Sequence, residues 1–229
     1  MVEYTKSEAK YFDICAKNRN FARYLVGFLD MKLVFASNNK HKLEEVCQIL
    51  PTSVEVVSLR EIGFVQEIEE TGETLEANSA LKAREVWNWL KKQDVRKDID
   101  GVFADDTGLE IAALNGAPGV RTARWAGDEA KDVNNRQKAL RELDGVTHRD
   151  ARFRTVVTLI MGDKEQQVEG IVNGKIARQE EGEGGFGYDP VFIPEGYEKT
   201  FASLSAEVKN TISHRARAME ELRKLVDNQ

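Results

Sequence analysis

Cysteine is scarce in this chain, and so are the other marks of secreted and membrane proteins. Only Cys15 and Cys47 occur among 229 residues, which is too few for a disulfide framework, and their spacing is not that of metal ligands. No apolar run is long enough to span a membrane, and no internal repeat is found. We therefore expect a cytoplasmic protein with no membrane partner.

An excess of positive charge is also absent. The chain has 33 lysines and arginines against 39 aspartates and glutamates, a net charge of -6. An acidic protein has little non-specific affinity for nucleic acid polymers or anionic membranes, so any phosphate that it binds must be captured locally. A chain of this length can form one domain, of one or two lobes, that buries about 70% of its unfolded surface.

Residues 1–30 are expected to be an N-terminal extension of uncertain order, and residues 31–229 the main domain. Apolar residues in the extension fall at roughly helical spacing, but charges interrupt them and no signal-peptide block forms. This pattern predicts a short amphipathic helix or a partly ordered tail. Met31 then opens a clean strand that runs to Ala36, so Met31 could serve as an alternative start.

Two adjacent acids follow a short apolar run at residues 101–108. Val102, Phe103 and Ala104 predict a buried strand, and Asp105 and Asp106 come directly after them. Neighbouring residues on a strand point to opposite faces, so one acid can serve structure while the other projects from the strand tip into a crevice. A carboxylate there suits Mg²⁺. The alternative is a simple turn, since Asp and Gly are common turn residues.

A polar loop with lysines joins the first strand to the first helix. The helix is expected to begin near Asn39 and to end at Pro51. Lys40 and Lys42 then fall in its first turn, where each opposes the helix dipole by roughly 0.3–1 kcal/mol unless an anion is bound there. A strand, polar loop and helix start of this kind predict a phosphate site. A solvated basic turn is the alternative.

An acidic patch precedes a second long helix, which the pattern places at residues 74–92. Glu69, Glu70 and Glu73 could either complement the dipole of that helix or supply a second carboxylate to a metal. Asn78 and Lys82 lie at i, i+4 on one helical face and could reach inward. For Lys82 by itself, however, we expect a surface position.

The remaining pattern predicts three further strands and one helix. Residues 109–113 alternate as a second strand after the acids, and residues 151–161 form a long strand that returns through a hairpin at 165–172. Between them a helix is expected at residues 128–143, with Val133, Leu140 and Leu143 facing inward.

A glycine-rich stretch at residues 182–190 carries the letters of a dinucleotide-binding motif. That motif must open a helix, however, and here the chain continues into a predicted strand at residues 191–193, so we reject it. The glycines would let the backbone approach a ligand closely, and an exposed Phe186 could stack on a planar base. Alternatively, Phe186 and Tyr188 lie in the core.

A second helix start carries cationic residues. Ser213 is a suitable cap, and His214 and Arg215 follow in the first turn. The guanidinium fork suits a purine carbonyl oxygen or a phosphate, and Lys209 adds a nearby charge. Taken singly, these residues would most often lie on the surface.

Six short motifs combine these features: Ser-Asn-Asn-Lys-His-Lys at 37–42, Glu-Glu-Thr-Gly at 69–72, Ala-Asp-Asp-Thr-Gly-Leu at 104–109, Gly-Ala-Pro-Gly at 116–119, Gly-Gly-Phe-Gly-Tyr-Asp-Pro at 184–190 and Ser-His-Arg at 213–215. In this order the set resembles the inosine/xanthosine triphosphate pyrophosphatases, which clear modified purine nucleotides from the nucleotide pool. The resemblance covers about residues 31 to 226. The family's first loop usually has Thr-Gly-Asn or Ser-x-Asn, and residues 37–39 fit the second form.

The resemblance implies an α/β fold, an elongated mixed sheet flanked by helices, with two lobes, a central substrate cleft and a homodimer. Residues 31–229 would then form a nucleoside triphosphate pyrophosphatase domain. The implied reaction is Mg²⁺-dependent hydrolysis of non-standard purine triphosphates such as ITP, dITP and XTP to the monophosphate and pyrophosphate.

The resemblance also assigns roles to residues of this chain. Asp106 would be the catalytic, metal-associated carboxylate that activates water, and Glu69 a metal ligand. Ser37, Asn39 and Lys42 would hold the triphosphate. The base would stack on Phe186. The residues that would contact the edge of the base are Asp189, Lys209, His214 and Arg215. They would prefer a 6-oxo group over a 6-amino group. The other implied substrate-binding residues are Asn38, Lys40, His41, Thr107, Gly187 and Tyr188.

Two other functions stay open on the sequence. One is a pyrophosphatase of similar fold that acts on pyrimidine triphosphates, and the other is a nucleotide sensor without turnover. Asp105 and Asp106 argue against the sensor, because carboxylates repel a triphosphate unless a metal lies between them. The role of Asp105 and the residue that rejects guanine are not assigned.

Overall fold

The computed structural model describes residues 31–93, 98–127 and 131–228. The expected N-terminal extension at 1–30 and the expected helix start at Asp128 lie outside these residues. In chain order the elements are β1 (Met31–Phe35), α1 (Lys40–Ile49), β2 (Val54–Ser58), α2 (Leu59–Ile62), α3 (Leu75–Lys91), β3 (Gly101–Ile111), β4 (Pro118–Gly119), α4 (Asp132–Glu142), β5 (Asp150–Met161), β6 (Lys164–Ile176), β7 (Phe192–Pro194), α5 (Ala206–Ile212) and α6 (His214–Asp227).

The described strands form one mixed sheet in the order β2-β1-β3-β5-β6-β7, with β4 paired to β3. β1 is parallel to both β2 and β3. From β3 onward the pairs β3–β5, β5–β6 and β6–β7 are antiparallel. The predicted mixed α/β sheet flanked by helices is thus confirmed. None of the described helices is long and apolar enough to cross a bilayer.

β3 differs from the prediction in its length. Residues 101–111 form a single eleven-residue strand, so neither a strand tip nor a turn occurs at Asp105 and Asp106. β3 pairs with β1 only as far as Phe103, and with β4 only from Leu109. The two acids therefore lie in the middle of their own strand but beyond the carboxyl end of β1. Crevices at the carboxyl ends of parallel strands are common ligand sites.

The two faces of β3 contact different helices, as strand alternation requires. Phe103 belongs to a core cluster with residues of α1 and α6, among them Val46 and Met219. Ala104 belongs to a second cluster with residues of α3, such as Val86. Asp105 and Asp106 continue this alternation, so their carboxylates point to opposite sides of the sheet.

A third core cluster fills the distal part of the sheet beneath α4. The buried residues of α4 are Asn135 and Ala139, and Leu143, directly after the helix, continues their i, i+4 spacing. Val133 is 38% exposed, so its predicted inward position is wrong. The predicted strand at 191–193 is also shifted, because Asp189–Val191 forms a short 3-10 turn before β7.

A glycine in β6 sets the position of α6. A Cβ atom on Gly170 would lie 2.1 Å from the carbonyl oxygen of His214 and 2.3 Å from the backbone nitrogen of Ala218. No side chain fits there, so the first turns of α6 lie directly against the strand. This contact carries His214 and Arg215 to the edge of the crevice.

Candidate active site

A cleft of about 380 Å³ opens beyond the carboxyl end of β1. Lys40 and Glu69, two of the predicted site residues, are exposed and do not line it. The predicted residues that line the cleft are Ser37, Asn38, Asn39, His41, Lys42, Asp106, Thr107, Phe186, Gly187, Tyr188, Asp189, Lys209, His214 and Arg215.

One end of the cleft is formed by the loop between β1 and α1. Asn39, near which the helix was expected to begin, caps α1 with its side chain, which accepts a hydrogen bond from the backbone N–H of Lys42 at 3.2 Å. The first turn of α1 contains no acidic residue, so its positive end is available to an anion. The Lys42 ammonium already has a partner within the protein, however, because it lies 2.9 Å from Asp105 Oδ1.

Asp106 faces α3, where two polar side chains contact it. Lys82 Nζ lies 3.4 Å from Asp106 Oδ1, and Asn78 Nδ2 donates to Asp106 Oδ2 at 3.3 Å. Burial raises the pKa of Asp106, and Lys82 and Lys42 offset only part of that effect. Lys82 is only 7% exposed, so its predicted surface position is wrong. The reason is its i+4 relation to the fully buried Asn78, which turns both side chains toward β3.

Glu70 lines the cleft, as does Glu67 just before the patch, whereas Glu69 and Glu73 do not. Oε1 of Glu70 accepts from Lys82 Nζ at 2.6 Å, and Arg124 donates to its backbone carbonyl at 3.2 Å. Burial alone would raise the pKa of Glu70, but the Lys82 ammonium lowers it below its usual range. Glu70 and Asp106 thus flank one ammonium group.

The carboxylates fit a magnesium ion in number and type. Among the described residues, no group of three or more His, Cys, Asp or Glu side chains is close enough to hold a metal by itself. Mg²⁺ usually takes one or two protein carboxylates and completes its shell with water and substrate phosphate. Asp106 and Glu70 are such a pair, since both line the cleft and both lie within 3.4 Å of the Lys82 ammonium.

A second part of the cleft, its Phe186 end, contains the partly buried ring of Phe186. Lys209 Nζ lies 5.0 Å from its centroid and the Arg215 guanidinium carbon 5.7 Å, while the imidazole of His41 stacks on it at 5.2 Å. Asp189 Oδ2 accepts from the Phe186 backbone N–H at 2.8 Å. The ring therefore has a fixed backbone and an open cleft beside it.

Glu45 anchors the cations at this end, although the sequence patterns did not single it out. Its carboxylate accepts from Lys209 Nζ at 2.6 Å and also from Arg215. Lys209 is shared with Asp189. Burial would raise the pKa of Glu45, but Arg215 and Lys209 lower it. Its position three residues after Lys42, beside the buried Val46, was the one signal that could have indicated it.

His214 is buried at the same end, with 4% of its surface exposed. Its ring stacks on Phe153 with centroids 4.5 Å apart. Within the described residues, its Nδ1 is the one buried side-chain polar atom without a hydrogen-bond partner. Burial, together with Arg215 and Lys209, lowers the pKa of His214 well below its usual value. A neutral imidazole presents one donor and one acceptor nitrogen.

The glycine-rich loop is held from α4, which the sequence did not suggest. The Gly187 backbone N–H donates to Asp132 Oδ2 at 2.9 Å, and its carbonyl accepts from Arg136 Nη1 at 2.9 Å. Tyr188, which is buried, donates its hydroxyl to the Thr122 carbonyl at 3.1 Å. Both neighbours of Phe186 on its C-terminal side are thus fixed.

Comparison with known proteins identifies the family. A model of the Ham1 family matches residues 33–225. The chain belongs to the Ham1 family. A dITP/XTP pyrophosphatase of Flavobacterium psychrophilum is 47% identical over 192 residues, which cover 84% of this chain and 97% of that protein. One from Porphyromonas gingivalis is 49% identical over 193 residues, with 84% and 95% covered.

A solved structure of the Ham1 family shows the same fold. The Staphylococcus aureus Ham1 protein is 38% identical to this chain, and the match covers 86% of this chain and 98% of that one with a TM-score of 0.75. The resemblance that the six motifs suggested is therefore confirmed.

Proposed function

We propose that this Ham1-family chain hydrolyses non-standard purine nucleoside triphosphates, such as ITP, dITP and XTP, to the monophosphate and pyrophosphate with Mg²⁺. The relatives named dITP/XTP pyrophosphatase support the substrate class. The observation that carries the proposal is the unpartnered Nδ1 of His214, a buried residue that lines the same cleft as Lys209, Arg215 and Phe186. A buried polar atom without a partner is costly unless a ligand supplies one.

The base end suits a 6-oxopurine. Phe186 offers a stacking surface, and Arg215 and Lys209 carry donors beside it. A 6-oxo group accepts from such donors, whereas the 6-amino group of adenine is itself a donor there. Donors left unpaired against the wrong base reduce the rate of that substrate many-fold.

The phosphate end suits the triphosphate and its hydrolysis. The start of α1 and the ammonium of Lys42 would bind phosphate oxygens. Asp106 and Glu70 would hold Mg²⁺, whose charge offsets that of the triphosphate when bound. The Asp106 carboxylate lines the cleft, so it can contact a water molecule beside the bound phosphates. The water oxygen would form a bond to the α-phosphorus and give its proton to Asp106, while the α–β phosphoanhydride bond breaks and pyrophosphate leaves.

The homodimer and the cytoplasmic location belong to the same proposal and rest on the family resemblance. Both can be measured separately from activity, by the mass in solution and by localisation of the expressed protein.

A substrate panel with separate detection of pyrophosphate and orthophosphate tests the proposed reaction. With Mg²⁺, we expect ITP, dITP and XTP to give pyrophosphate and the monophosphate much faster than ATP or GTP does. Orthophosphate with the diphosphate would indicate a different phosphohydrolase. Faster turnover of dTTP or UTP would indicate the pyrimidine enzyme, and binding of ITP without turnover would indicate a sensor.

Asp106→Asn tests the catalytic assignment in the same assay. The amide cannot accept the proton from water, so we expect turnover to fall by orders of magnitude, roughly 10²-fold to 10⁴-fold, with an unchanged circular dichroism spectrum. Asp163→Asn, in the exposed turn between β5 and β6, is the matched control and should retain full activity. Full activity of Asp106→Asn would refute the assignment.

A further inference from the structure

Asp105 is a fully buried acid next to Asp106, and both of its carboxylate oxygens accept hydrogen bonds within the protein. It has no exposed surface. Oδ1 accepts from Lys42 Nζ at 2.9 Å, and Oδ2 accepts from Arg215 Nε at 3.1 Å and Nη2 at 3.0 Å. The Thr107 hydroxyl also lies 3.5 Å from Oδ2. Asp105 does not line the cleft and so would not touch a substrate.

The two cations that it holds belong to the two parts of the cleft that would bind phosphate and base. Lys42 is in the first turn of α1, beside the loop at 37–39 that would bind phosphate. Arg215 is in the first turn of α6, over the ring of Phe186. Each carboxylate oxygen of Asp105 thus faces one end. The backbone of β3 is paired to β5 at this point, Asp105 opposite Val157, and holds the bridge in place.

We propose that Asp105 is a positioning residue that couples base recognition to triphosphate binding by fixing Arg215 and Lys42 on one carboxylate. The inference rests on the proposed function, since it needs a base at one end and phosphates at the other. Without this acid the ammonium and guanidinium groups would repel each other, and each would move toward a different acid or toward solvent.

Lys42 and Arg215 depend on Asp105 to different degrees. Within the described residues, Asp105 is the one carboxylate within 4 Å of Lys42 Nζ, whereas Arg215 also pairs with Glu45. Loss of Asp105 should therefore weaken phosphate binding more than base binding, but it should weaken both. Loss of Lys42 or Glu45 should affect only the end that each one serves.

Two probes measure phosphate binding and base binding separately. Tripolyphosphate has no base and inosine has no phosphate, and the affinity of each is measured by titration calorimetry. We expect Asp105→Asn to weaken both by about ten-fold or more, the scale of a charge-assisted hydrogen bond. Lys42→Met should weaken tripolyphosphate alone, and Glu45→Gln should weaken inosine alone. Glu110→Gln is the matched control, since this β3 acid pairs with Arg152 outside the cleft and should leave both affinities unchanged.

The double variant Asp105→Asn/Lys42→Met removes one charge of each sign and keeps the test valid if Asp105→Asn alone does not fold. It should bind inosine about ten-fold more weakly than Lys42→Met does, because Arg215 has lost Asp105. Equal inosine affinities in these two variants, or a loss at only one end in Asp105→Asn, would overturn the proposal. Failure of the wild-type protein to hydrolyse ITP would refute the proposed function instead, a result read from the substrate panel.

Discussion

Asp105 and Asp106 are adjacent in β3, and their carboxylates differ in partners and in protonation. Lys42 and Arg215 hold the pKa of Asp105 well below its usual range, although burial alone would raise it. Burial prevails at Asp106 and raises its pKa. The first acid therefore remains an anion that orients two cations. The second is available to take a proton, and this division of roles follows from which face of the strand each side chain occupies.

His214 should make the folded protein less stable in mild acid. Its pKa in the fold is well below 6.5, so below about pH 6.5 the unfolded chain takes up a proton that the folded chain does not. The free energy of unfolding should then fall as the pH drops, by at most about 1.4 kcal/mol per pH unit for one proton. Urea unfolding of His214→Gln should lack this component of the slope.

His148→Gln, at an exposed position, is the control for the pH series and should keep the wild-type slope. If His214→Gln and the wild-type protein lose stability equally between about pH 7 and pH 5, the protonation of His214 is not the cause.

Individual residues were predictable where their type and local position agreed. The start of α1 beside Asn39 depends only on neighbouring residues, so the sequence was sufficient to predict it. Lys82 depends on Asp106, a partner 24 positions away that only the fold brings within 3.4 Å. Glu45 likewise depends on Lys209 and Arg215 from the other end of the chain. Its own neighbourhood has the pattern of an ordinary helix surface.

At the level of elements, β3 shows how tertiary pairing overrides local preference. Asp, Thr and Gly at 105–108 favour a turn, yet β3 pairs with β5 without interruption from Gly101–Met161 to Ile111–Ala151. A long partner strand outweighs such propensities. The sequence nevertheless predicted a crevice beside the acids, and the structure has one there, because β1 ends beside them and leaves that edge of β3 uncovered.

The hydrogen bonds from α4 to the glycine-rich loop should affect the affinity for the base. Arg136→Ala removes the donor to the Gly187 carbonyl and also the Arg136 contact with Glu180 at 2.8 Å. Phe186 would then be less well positioned, and the KM for ITP should rise about three-fold to ten-fold, the scale of one hydrogen bond. The kcat should change little, since Arg136 does not line the cleft.

Arg141→Ala on the exposed side of the same helix separates this effect from simple loss of charge on α4. Steady-state kinetics of both variants decide the matter: an unchanged KM in Arg136→Ala, or an equal rise in Arg141→Ala, would contradict the role of this contact.

Over the whole molecule, the cleft is assembled from residues between Ala36 and Arg215, which come from both ends of the sheet. The order of the six motifs was enough to predict the family, because each motif keeps its place along the chain. The ion-pair network that joins them was not predictable. It depends on which side chains the sheet brings together, as with Asp105, Lys42 and Arg215.

A site assembled in this way exists only in the folded protein, so substrate should stabilise the whole domain. In Asp106→Asn, which should bind ITP without consuming it, ITP with Mg²⁺ at about 100 times its Kd should add roughly 2.7 kcal/mol to the free energy of unfolding. For a domain of this size that corresponds to a rise in Tm of about 5–10 °C, measured by scanning calorimetry. ATP at the same concentration should raise the Tm much less, because its 6-amino group meets donors at Arg215 and Lys209. An equal rise with ATP would show that the cleft binds the triphosphate without reading the base.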